Sequence, residues 1–178
     1  MLCPEAHGRL LPHLERFARE ANITPDWIWR PLAQVCGADE IEWVRRFRFH
    51  RENGLYGLVY VGWNPAPPVE SRMAAIAGAL IRNFICARVM VVHDLLDAAA
   101  EGAVPDTSCL LIPNFFIGKA QGGDLPSWRV SLLLSALLER HAMGVQTVLY
   151  ASDLDAMSVD YGAALTRHVK HHYVSLEV

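Results

Sequence analysis

Hydrophobic positions follow two regimes along the chain, and the change falls at Asn53-Gly54. Before it, apolar residues recur at helical spacing. Leu10, Leu11, Leu14, Phe17 and Ala18 share one side of a segment that carries Arg9, Glu15, Arg16 and Arg19 on the other. The stretch 22–26 breaks the period, and Thr24-Pro25 offers an N-cap followed by a proline at the first helical position. That predicts a second helix through Trp27, Ile28 and Leu32. Gly37-Ala38-Asp39 sets off a third, from Glu40 to about His50. After Gly54, short apolar runs alternate with amphipathic segments. Strands are predicted over 55–61, 87–92, 109–112, 146–151 and 173–178, and helices over 72–83, 94–101, 126–143 and 156–167. Leu110-Leu111-Ile112 is apolar at consecutive positions, as a strand covered on both faces should be, and 145–149 is read as a second such run although Gln146 and Thr147 interrupt it. Asp124 ahead of Pro126 and Gly144 after Met143 are start and stop signals for the longest helix. The pattern predicts an α/β domain with a parallel sheet over 54–178, preceded by a small helical element over 1–53.

Composition narrows the partners rather than the fold. The chain has 178 residues, enough for one domain with a substantial core. Sixteen basic side chains against nineteen acidic ones give a formal charge of −3, so no global field draws it to nucleic acid or anionic membrane. No apolar run reaches membrane-spanning length, and the N-terminus has no signal-peptide pattern. Cys3, Cys36, Cys86 and Cys109 are scattered without a CxxC spacing, which reads as reduced, buried thiols of a cytoplasmic protein.

The stretch 54–71 carries the most chemistry. An apolar run ends at Gly62, a loop follows, and 72–82 reads as a helix, which is the layout of a P-loop nucleotide site. Such a loop needs backbone N–H groups, a lysine for the β/γ-phosphates and a hydroxyl on Mg²⁺. Here the glycine and lysine places fall on Pro67, Pro68 or Val69, and the hydroxyl place on Val69 or Glu70. Proline offers no N–H, and Glu70 repels phosphate. The layout is present and the loop chemistry is missing.

From Leu55 onward the order of motifs resembles the AAA+ core of bacterial helicase loaders of the DnaC type and the related IstB-type transposition ATPases. The segment 73–81 resembles the helix after their P-loop, and 88–97 their second strand and following helix start. Ser108 to Phe115 sits at the Walker B strand. The run 128–141 resembles their long helix, 147–154 their sensor strand, and 165–169 the helix bearing an arginine finger. The resemblance implies a five-stranded P-loop NTPase-like sheet flanked by helices. It also marks departures. The two acids that hold Mg²⁺ and polarise water fall on Pro113 and Asn114, and the sensor asparagine on Asp153. The chain ends at Val178 in the fifth strand, so no helical lid is expected. The resemblance therefore implies a pseudo-ATPase without cofactor. It would act as an adaptor or assembly regulator on a protein partner, a replicative helicase or an AAA+ ATPase, as an oligomer or hetero-complex. Arg167 is its candidate arginine finger in trans.

Two clusters lie outside that frame. The third helix interleaves Arg45, Arg46, Arg48 and Arg51 with aromatic residues, a pattern suited to phosphate contact and base stacking or simply to a solvated basic face. It supports the alternative of a nucleic-acid-binding accessory protein of replication, transposition or a mobile element. Trp27, Trp29 and Trp43 are candidate partner contacts. His168, Lys170, His171 and His172 form a second basic cluster. Read as strand, His171 and His172 point to opposite faces, so no metal site is expected. No G-x-S-x-G elbow suggests hydrolysis.

Overall fold

The computed structural model describes residues 7–8, 10–118 and 125–178; Cys3, Arg9 and Asp124 lie outside them. Four short helices come first: α1 (Leu14–Glu20), α2 (Pro25–Trp29), α3 (Ala38–Arg45) and α4 (Phe47–Glu52). Then follow β1 (Gly57–Val61), α5 (Val69–Arg82), β2 (Ala87–Val89), α6 (Val92–Ala100), β3 (Cys109–Phe116), α7 (Ser127–Ala142) and β4 (Gln146–Ala151). The chain closes with α8 (Leu154–Asp160), α9 (Ala163–His172) and β5 (Tyr173–Glu177).

The five strands form one parallel sheet in the order β2-β3-β4-β1-β5. β4 is buried along its whole length and β1 at four of its five positions, as the apolar runs require. One side of the sheet is covered by α6, α7 and α9 through Leu95, Leu133, Leu137 and Val169. The other is covered by α5, through Met73, Ile76 and Leu80.

The N-terminal helices do not stand apart from this sandwich. Cys36, Trp43 and Phe47 share one apolar cluster with Leu58, Tyr60, Met73 and Ile76. At Gly78 an added Cβ would meet the Trp27 carbonyl oxygen at 2.2 Å, so α2 lies against the bare backbone of α5. Gln146, at the start of β4, donates its side-chain amide to the Phe47 carbonyl.

Several boundaries differ from the sequence pattern. The third helix is two, α3 and α4, because Arg46 leaves helical geometry at φ −95° and ψ 16°. The segment 156–167 lies across α8 and α9, separated by Gly162 at φ 85°. β3 runs four residues past Ile112 through an irregularity in register, which takes Pro113 out of the regular ladder. Cys36 and Cys109 are buried free thiols as expected, whereas Cys86 is exposed.

Candidate nucleotide-site edge

In a parallel sheet, ligands meet the carboxyl ends of the strands. Here that edge holds a cleft of about 460 Å³ between Trp63, Asn64, Pro68, Val69 and Glu70 after β1, Pro113 and Asn114 of β3, and Tyr150 of β4. Gly62, at φ +150°, lies so close to the chain end that a Cβ would meet the Val178 carbonyl oxygen at 1.9 Å. Tyr150 donates its hydroxyl to the Gly62 carbonyl at 2.9 Å, and burial, then the Glu70 charge, raise the Tyr150 pKa.

The loop between Gly62 and α5 is held by the protein's own side chains. The Arg72 guanidinium donates from Nε to the Pro67 carbonyl (3.1 Å) and from Nη2 to the Ala66 carbonyl (3.1 Å). Its Nη1 reaches both carboxylate oxygens of Glu40 at 3.0 and 2.9 Å. Glu40 is only 3% exposed. It also accepts from the Tyr60 hydroxyl at 2.7 Å and from the Gly37 N–H. Burial and the Glu40 charge push the Cys36 thiol up to about 12 and the Tyr60 phenol well above its ordinary range. One buried network therefore ties α3, β1, the loop and α5 together.

Part of the N–H supply that a phosphate would use is absent or spent. Pro67 and Pro68 have no N–H, and the N–H groups of Ser71 and Arg72 are taken by the Pro68 carbonyl at 3.0 and 3.2 Å. α5 starts at Val69 rather than at 72, which puts Val69 and Glu70 in its first turn. Neither of the chain's two lysines, Lys119 and Lys170, falls in the β1–α5 segment.

The β3 positions have other duties. Pro113 is buried, and the Asn114 side-chain carbonyl accepts the Val92 N–H at 2.9 Å, fixing the start of α6. Neither supplies a carboxylate, so the β3 end of the cleft offers no acid to a Mg²⁺ ion. Asp153 is exposed and N-caps α8, accepting from Asp155 and Ala156 N–H at 2.7 and 2.9 Å. It does not line the cleft, because its carboxylate is turned to the helix it starts.

The remaining candidates scatter. Trp43 is 2% exposed and sits in the core edge-to-face with Phe47, which removes it as a partner contact. Trp27 and Trp29 are half-buried. Arg30 lies over the Trp27 ring at 4.0 Å. Arg45, Arg46, Arg48 and Arg51 are all exposed. The first three line a groove of about 880 Å³ with Phe49, Leu80 and Asn83, whereas Arg51 lies beside Gly144. Arg46 also pairs with Glu42 at 2.5 Å. Arg167 is exposed on α9.

Three groups were missed or misread in the pattern. Glu40 reads as one more surface acid of a helical first turn, and its partner Arg72 is 32 residues away. Arg140, 0% exposed, donates to the Thr147 hydroxyl and to the carbonyls of Pro105, Thr107 and Gln146, closing the sheet beneath α7. The third is the histidine group. His171 and His172 belong to α9, not to a strand, since β5 begins only at Tyr173. The opposite-face argument against a metal therefore does not apply: His168 and His172, one helical turn apart, lie on one face with His141. The i,i+4 spacing was the available signal.

Five parallel strands in this order, with the loop after β1 meeting the ends of β3 and β4, define a P-loop NTPase fold of the AAA+ type. Among solved structures, the chain is similar to DnaI, with a TM-score of 0.64 at 16% identity over 87% of this chain and 94% of that one. It is also similar to AMPPCP-bound DnaA from Aquifex aeolicus (TM-score 0.56, 11% identity, 81% of this chain and 48% of that one). Replication initiator DnaA bound to AMPPCP and single-stranded DNA gives 0.58 at 14% identity, over 87% and 50%. The chain spans about half the length of those two DnaA structures. No protein-family model and no curated protein matches the sequence.

Proposed function

We propose that this AAA+-fold chain is a pseudo-ATPase adaptor or assembly regulator, working by contact with a replicative helicase or an AAA+ partner in DNA replication or on a mobile element. One observation carries the reading. All three strand ends that would hold a nucleotide are committed to internal structure: Arg72 grips the loop, Asn114 fixes α6, and Asp153 caps α8. The fold shared with DnaI and DnaA supports the choice of partner class. Arg167, exposed on α9, is the candidate to reach a neighbour's γ-phosphate in trans.

Size-exclusion chromatography of the purified chain with a purified replicative helicase tests the adaptor role. A stoichiometric complex that forms equally with and without ATP is expected. A complex that requires ATP bound by this chain would contradict it.

The exposed Arg45, Arg46 and Arg48 along one groove favour a second reading, contact with nucleic acid. Phe49, 52% exposed, adds a ring on which a base can stack. Three phosphate contacts to a single strand would give a log K against log salt slope of about −2. A salt-independent affinity would exclude that use of the groove.

A further inference from the structure

The sheet has a second chemically distinctive end, opposite the nucleotide-site edge. His141 lies at the end of α7 just before β4, His172 immediately precedes β5, and Tyr56 immediately precedes β1. These residues mark the amino ends of the parallel strands. Nitrogens of His141, His168 and His172 lie within 4.8 Å of one another. The ring centroids are 4.6 Å (141–172), 5.0 Å (168–172) and 5.4 Å (141–168) apart.

We propose that His141, His168 and His172 form a binding site for a divalent transition metal, zinc foremost. Three imidazoles without a thiolate or carboxylate make a borderline nitrogen set, which suits Zn²⁺, Cu²⁺, Ni²⁺ or Co²⁺ and not Mg²⁺ or Ca²⁺.

Several independent observations support this assignment. His168 is 9% exposed, yet its Nε2 has no hydrogen-bond partner, and the buried Nδ1 of His141 has none either. Buried polar atoms are rarely left unpaired without a cause, and a bound ion is one. Part of the framework is fixed as well. Tyr56 stacks on His141 at 3.8 Å between centroids, and its N–H donates to the His172 carbonyl at 2.8 Å.

A tetrahedral ion with Zn–N bonds of about 2.0–2.1 Å needs ligand nitrogens about 3.3 Å apart. His141 and His172 are half-buried at the surface, so small side-chain rotations can close the gap. Three protein ligands leave a fourth position for water or a partner's side chain. The ion would clip α7 to α9 without touching the nucleotide-site edge.

Untagged, EDTA-stripped full-length chain titrated with Zn²⁺ by calorimetry, and with Co²⁺ followed by visible absorption, tests the site. One ion per chain is expected, with Co²⁺ ligand-field bands of a low-coordinate site. His141→Gln and His172→Gln should each weaken binding at least about tenfold. His171→Gln removes an exposed neighbouring histidine and should change nothing. Both half-buried positions tolerate substitution more readily than His168, so the test does not depend on the variant that endangers folding. Absence of stoichiometric binding would overturn the proposal. So would binding that survives both ligand variants, or that falls equally with His171→Gln.

Discussion

Glu40 and Arg72 show how two single residues hold the loop after β1 from within. A carboxylate that is 3% exposed is tolerable only when every lone pair is engaged, and here Arg72, Tyr60 and Gly37 share that task. Arg72→Ala would strand the Glu40 charge and release the Ala66 and Pro67 carbonyls at once. The expected loss is about 3–5 kcal/mol in a urea unfolding curve, the range for breaking a buried pair. Arg72→Lys should recover little, since an ammonium cannot serve the loop and both carboxylate oxygens in one fork. A loss below about 1 kcal/mol would mean that the loop is held by its prolines alone. Arg167 belongs to the same scale with the opposite expectation. Exposed on α9, it can be replaced by alanine without loss of stability. If it serves as a finger, Arg167→Ala lowers the ATPase rate of an AAA+ partner on the order of 10³-fold in the reconstituted complex. An unchanged partner rate confines Arg167 to solvent.

At the scale of elements, the contact between α2 and α5 decides whether the first fifty residues are an appendage or part of the core. Gly78→Ala places a methyl carbon where the Trp27 carbonyl oxygen already stands, 2.2 Å away. Backbone must move to admit it, so a loss of about 1–3 kcal/mol by chemical denaturation is expected despite the better helix propensity of alanine. A neutral or stabilising result would show that α2 leaves α5 readily.

Elements also show what the sequence pattern could carry. The sheet was legible because 109–112 is apolar at consecutive positions and 148–151 is Val-Leu-Tyr-Ala, short runs of the kind that strands covered on both faces use. β3 beyond Ile112 was not, because proline ordinarily ends a central strand and here sits at an irregularity. The break at Arg46 has no local signal, since arginine and phenylalanine are both acceptable in helices. The nucleotide-site departures at Pro67, Pro68 and Pro113 were visible as residue types. The bonds made at these places were not, because Asn114 to Val92 and Glu40 to Arg72 are tertiary contacts. The histidine group was hidden because the predicted helix stopped at 167, five residues before α9 ends at His172, so His171 and His172 were weighed as strand residues and the i,i+4 pair of His168 and His172 went unread.

At the scale of the whole molecule, thiols and phenols buried in the sandwich report on folding at high pH. Burial lifts Cys36 and Cys109 from 9.0 to about 12, and Tyr173 from 10.0 to about 12. Because the folded values lie above the ordinary ones, the unfolded chain loses its protons first as pH rises. Stability is therefore expected to hold up to about pH 9 and to fall steadily towards pH 12, visible as a declining urea midpoint. A midpoint unchanged through pH 11 would contradict the burial of these groups.

The central claim is that this AAA+ fold has exchanged its nucleotide site for internal bonds, and calorimetric titration with ATP in the presence of Mg²⁺ tests it most directly. No heat of binding at millimolar nucleotide, and no rise in melting temperature, is the predicted result. Saturable one-to-one binding with a melting shift of several degrees would contradict the account.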